Sequence, residues 1–147
     1  MRTLGISFVC LISILLSTTS HATPAAPTCR DLETSLKAAR MALVTLLTDP
    51  EKRNPAQQKL VAETANQVDA IVAQMVPPAG KEAQFKKMKE AWNAFHTTRK
   101  TELVPDILAG KLDKAEKVTS EVQAKRITEI LKYCDPTMDL KHDMTEH

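Results

Sequence analysis

The sequence predicts an all-α fold: an antiparallel up-down-up-down four-helix bundle whose two ends are joined by one disulfide. Three observations predict it. Prolines and glycines cluster at three interior points and divide the chain beyond residue 22 into four segments. Each segment is rich in Ala, Leu, Lys, Glu and Gln and repeats apolar residues at helical spacing. Cys29 and Cys134 bracket the set, at the start of the first segment and the end of the last.

The first residues read as an export signal. Arg2 supplies a basic start, an apolar run follows from Leu4 to Leu16, and Ser20-His21-Ala22 offers small residues where a signal peptidase cuts. A membrane span needs about 20 apolar residues and this run holds only about 13. Ser7-Phe8-Val9 before Cys10 lacks the small residue of a lipoprotein signal. The expected organisation is a signal peptide at 1–22, a bundle at 23–134 and a flexible tail at 135–147, exported to the periplasm with no membrane span after cleavage.

Helix one is expected from about Arg30 to Thr48, with Leu32, Leu36, Leu43 and Leu46/Leu47 inward. Pro50 and Pro55 bracket the first break. Helix two starts at Pro55 with Asn54 as its cap, and Val61, Ala65, Val68, Val72 and Met75 alternate steps of four and three as bundle packing requires. Pro77, Pro78 and Gly80 form the second break. Helix three is expected from about Lys81 to Ala109 along Phe85, Met88, Trp92 and Phe95, with a kink at Pro105. Gly110 marks the third break. Helix four is expected from about Leu112 to Tyr133 with Ala115, Val122 and Ile130 inward, and Pro136 ends it.

Removing the signal takes Arg2 and Cys10 with it. The formal charge of +2 becomes +1, which offers no attraction to nucleic acid or an anionic membrane surface. Two cysteines remain, one disulfide in an oxidising compartment. Short connections make successive helices antiparallel neighbours, so the start of helix one meets the end of helix four at Cys29 and Cys134.

Enzyme templates are absent: the chain has no glycine-rich phosphate loop, no nucleophile elbow and no HExxH motif. The expectation is a protein without catalysis, cofactor or bound metal. The informative irregularity is charge on an apolar stripe. Continuing the helix-three rhythm past Phe95 lands on Arg99 and then Glu102, and Arg126 shares a face with Val122. Folding the helices back sets Arg40, Arg99 and Arg126 at one height, with His96 nearby. Two accounts compete. In one, Arg99 pairs with Glu102 and Arg126 with Glu129, their stems snorkelling to solvent. In the other, the three arginines line an inter-helix site for a carboxylate, gripped by guanidinium forks, with Trp92 as its apolar wall.

The stretch Trp92-Asn93-Ala94-Phe95 through Arg99, the turn Pro105-Asp106-Ile107-Leu108-Ala109-Gly110, and then Ala115, Gln123 and Arg126 resemble the four-helix-bundle sensor domain of bacterial methyl-accepting chemoreceptors. The resemblance covers helices three and four closely and helices one and two in general pattern. It implies an extracytoplasmic ligand-sensing bundle, often for small organic acids. Such receptors continue into a second membrane span and a signalling coiled coil. This sequence ends at His147 and carries a bracketing disulfide, so the expectation is a soluble, stand-alone relative. Length, export signal and helix count are similar also to periplasmic b-type and c-prime cytochromes. A c-type haem needs Cys-x-x-Cys-His, which is absent.

The expected function is binding of a small anionic metabolite or a partner protein, with exposed Met41 and Val44 on helix one leaving room for a homodimer. The alternatives are a haem- or copper-binding electron carrier using His96, methionines or the Met/His-rich tail at His142 and His147, and a purely structural or chaperone-like bundle.

Overall fold

The structure is a computed structural model that describes residues 25–135. The expected signal peptide, Pro136 and the Met/His tail lie outside the described residues. Among the described residues the fold is all-helical, without strands, and forms four helical rods. The first is α1, Cys29–Thr48, and the second is α2, Pro55–Gln74. The third runs through α3 (Glu82–Thr98), a π-helical stretch at Arg99–Leu103 and α4 (Val104–Leu108). The fourth runs through α5 (Leu112–Lys117), a second π stretch at Val118–Gln123 and α6 (Ala124–Cys134).

The ends of these rods follow from local chemistry. Thr28 caps α1 in a capping box: its hydroxyl accepts from the Asp31 amide, and the Asp31 carboxylate accepts from the Thr28 amide. Arg53 reaches back to the other end of α1, where Nη2 donates to the Leu47 carbonyl at 2.9 Å and Nε to Leu46. Asn54 caps α2 with Pro55 at its first position, as the sequence predicts. A Schellman motif closes α4: the Gly110 amide donates to Ile107 and the Lys111 amide to Asp106. That geometry needs the positive φ of 76° which Gly110 adopts without a side-chain clash.

α1 packs mainly on α2, and α3 mainly on α6. The disulfide between Cys29 and Cys134, with Cα atoms 5.5 Å apart, joins the first element to the last. Every expected inward residue of helices one and two is buried. Met41 is exposed, whereas Val44, expected beside it on the surface, is half-buried against solvent.

The core divides in two. At the disulfide end, Leu32, Leu36, Val68, Val72, Met88, Trp92, Phe95 and Ile130 pack together. Toward the other end, Leu43, Leu46, Val61, Leu103, Ile107 and Ala115 form a second cluster. Between the clusters lies a polar layer of buried Thr64, Thr98, Arg99 and Gln123.

Two expectations fail for a common reason. Val122 was expected inward and is 39% exposed, while Gln123 takes its place. Glu102, expected to continue the stripe, is exposed, and Leu103 is buried instead. Each π stretch adds a residue to its turn: Val104 donates to Arg99 and Ala124 to Thr119, five residues back rather than four. The inward face therefore moves on by one residue. The kink expected at Pro105 takes this form. The widened turn lies where the proline ring would crowd the Thr101 carbonyl, and the rod stays helical to Leu108. In the second stretch Thr119 and Ser120 hydroxyls donate to the Ala115 and Glu116 carbonyls, competing with the regular ladder.

Candidate functional site: a buried arginine beside a cavity

Arg99 begins the first π stretch and is 2% exposed. Its Nη2 donates to the Val61 carbonyl of α2 at 2.5 Å and to the Thr64 hydroxyl at 3.3 Å. Nε and Nη1 are buried with no hydrogen-bond partner. Burial without a counter-charge pushes the guanidinium down to about 10, far from its ordinary value. A charge in this condition costs several kcal/mol relative to a paired one, and native cores rarely retain it.

Arg99 also lines a cavity of about 250 Å³ in the α2–α3 seam. Val61, Ala65 and Val104 supply apolar wall, and Gln58 and Asn66 supply amides from α2. His96 and Lys100 complete it from the third rod. The lining therefore contains basic and neutral polar groups and no carboxylate.

Beside the cavity, α2 and α3 are tied through Asp69. Its Oδ1 accepts from Trp92 Nε1 at 2.6 Å, and its Oδ2 lies 3.3 Å from His96 Nδ1. Trp92 also stacks on Phe95, with centroids 5.5 Å apart. Asp69 escaped the sequence reading because a half-exposed acid in mid-helix looks like solvated surface.

Arg126 is placed differently. Its Nη1 donates to the Thr98 hydroxyl at 2.6 Å, to the Ala94 carbonyl at 3.0 Å and to Gln123 Oε1 at 3.1 Å. Gln123 Nε2 in turn donates to the Phe95 carbonyl at 3.0 Å. This network clips α6 to α3. Arg40 is exposed on α1 and lines a separate cavity of about 440 Å³ with Leu36, Ile127 and Leu131.

The three arginines do not share a site. Arg99 faces the α2–α3 seam, Arg126 the α3–α6 seam and Arg40 the α1–α6 seam. Trp92 is buried between core and Asp69 instead of walling an arginine site. The expected ion pairs are also replaced: Arg99 turns to α2, and Glu129 accepts from Lys132 at 3.0 Å. The α1–α6 cavity is larger, yet its arginine is solvated, so the unsatisfied donors single out the smaller one.

Among the described residues, those of the electron-carrier alternative are scattered. Met75 and Met88 are core residues, Met41 is exposed, and His96 is held by Asp69. Among the described residues no group of three His, Cys, Asp or Glu side chains is arranged to hold a metal ion. No helix among them is long and apolar enough to cross a membrane. Comparison of the chain with family models, curated proteins and solved structures finds no match.

Proposed function

We propose that this protein is an exported, non-enzymatic binding module that takes a small carboxylate anion in the α2–α3 cavity. Arg99 is the anchor. The up-down-up-down antiparallel order and periplasmic address expected from the sequence belong to this reading, as does the sensor-domain resemblance.

The observation that carries it is the pair of buried, unpartnered nitrogens on Arg99. A carboxylate is the ligand that best relieves them, because it supplies charge and two acceptor oxygens together. Each forked edge of a guanidinium includes Nη2, so a bidentate grip engages one free donor and competes with the long Thr64 contact. Lys100 and His96 favour a second anionic or acceptor group near the mouth. A cavity of about 250 Å³ limits the ligand to a small molecule. Arg126 has the role of an inter-helix clip, and Arg40 lies outside this site.

Thermal unfolding in the presence of short mono- and dicarboxylates tests the proposal. A ligand at 100 times its Kd adds about 2.7 kcal/mol of stability. The expected result is a saturable shift in wild type and in R40A, and none in Arg99→Met. Equal shifts in wild type and Arg99→Met would overturn it.

A further inference from the structure

The disulfide is more than a clamp within the core. Cys29 and Cys134 are half-buried and line a cavity of about 370 Å³ at the end of the bundle, together with Met75, Val76, Pro78, Lys81 and Tyr133. A disulfide is an electrophile, and one that walls an open cavity is accessible to a thiol of matching size. We propose that this cavity is a site of thiol–disulfide exchange with a small-molecule thiol, and that exchange is directional: the thiol attacks Cys134 Sγ and Cys29 leaves.

The direction follows from what surrounds each sulfur. Cys29 is the first residue of the 20-residue α1, whose first-turn amides stabilise negative charge. Asp31 opposes this, but its carboxylate is held by the Thr28 amide and hydroxyl at 2.8 and 2.7 Å. Cys134 is the last residue of α6, among carbonyl ends, where a thiolate is disfavoured. The better leaving thiolate is the one whose charge the surrounding backbone stabilises, and that is Cys29 at the helix start.

The step balances. An incoming thiolate forms a bond to Cys134 Sγ, the Sγ–Sγ bond breaks, and its electron pair leaves on Cys29 as thiolate. A second thiol then releases the small-molecule disulfide and leaves Cys134 reduced. In total two thiols are oxidised and one protein disulfide is reduced. The consequence for the fold is release of the α1–α6 seam.

The test uses the oxidised protein, folded in buffer, with reduced glutathione and iodoacetamide present to trap the freed thiolate. Peptide mapping then locates each adduct. Glutathione on Cys134 with alkylated Cys29 is expected to exceed the reverse by about threefold or more. In urea, with the helix ends gone, the ratio is expected to fall toward one. An equal or reversed ratio in buffer overturns the proposal, as does a disulfide that reacts only once the protein is unfolded. A ratio unchanged by urea assigns the preference to neighbouring charges alone and overturns it too. Carboxylate binding at Arg99 does not enter any of these outcomes.

Discussion

Thr98 and Arg99 are consecutive in the chain and engage opposite neighbours. The Thr98 hydroxyl takes a hydrogen bond from Arg126 of α6, and the Arg99 guanidinium donates to Val61 of α2. One step along the third rod turns the chain from one seam to the other. This step separates two arginines that a wheel drawn on the sequence places together, and it leaves one of them satisfied and the other not. Arg126 fastens α6 to α3, whereas Arg99 keeps two buried nitrogens without an acceptor.

Arg99→Met is expected to raise the stability of the ligand-free protein by about 1–2 kcal/mol, since a buried charge is replaced by an apolar side chain of similar length. No acceptor is stranded by the change. The Thr64 hydroxyl donates to Leu60 and Val61, and the Val61 carbonyl lies inside a regular helix. Chemical denaturation without ligand measures the gain, and a loss of more than about 1 kcal/mol would show that Arg99 is a structural residue.

Asp69 offers a second test, of the tie between α2 and α3. Asp69→Ala leaves the Trp92 Nε1–H without its acceptor in a residue that is 1% exposed, and is expected to cost about 1–3 kcal/mol. Asp69→Asn keeps a carbonyl oxygen for the indole and is expected to cost less than half as much. Urea unfolding followed by Trp92 fluorescence separates the two. Equal losses would mean that the carboxylate acts through His96 rather than Trp92.

Much of this was legible in the sequence, and the misplaced inward positions on the third and fourth rods share a cause. Val61, Ala65, Val68, Val72 and Met75 were readable as core because α2 is regular and its period stays near 3.6. Asn54 with Pro55, and Cys29 with Cys134, were readable because capping and disulfide chemistry are local signals or pair signals. The exchange of Val122 for Gln123 and of Glu102 for Leu103 was not readable, because a π turn changes the period without changing composition. Pro105 hinted at the first of these, and no residue of comparable strength marks the second. Arg99 was legible as a charge on an apolar stripe. Its lack of a partner was not, since that depends on which helix lies opposite.

The turn between α4 and α5 ties stability to acid. Asp106 is nearly buried, and its carboxylate meets Lys114 Nζ at 2.8 Å and Lys111 Nζ at 3.5 Å. The hydrogen bond from Lys114, followed by the charges of Lys114 and Lys111, outweighs the opposing effect of burial and holds the carboxyl below its ordinary 3.8. A depressed acid contributes stability that is full above the unfolded value and is lost as pH falls through the lower folded value. The sensitive window is therefore below about pH 4. Asp106→Asn removes the titrating group while leaving the backbone carbonyl of residue 106 to accept from Lys111 in the Schellman turn. At pH 6 the variant is expected to be the less stable protein. Between pH 4 and pH 2.5 its urea midpoint is expected to fall less than that of wild type. Asp31, also held below its ordinary value, first by the Thr28 amide and then by the Thr28 hydroxyl, titrates in both proteins and cancels from the comparison. Parallel acid slopes would place the linkage elsewhere and reduce the two lysine contacts to surface pairs without energetic weight.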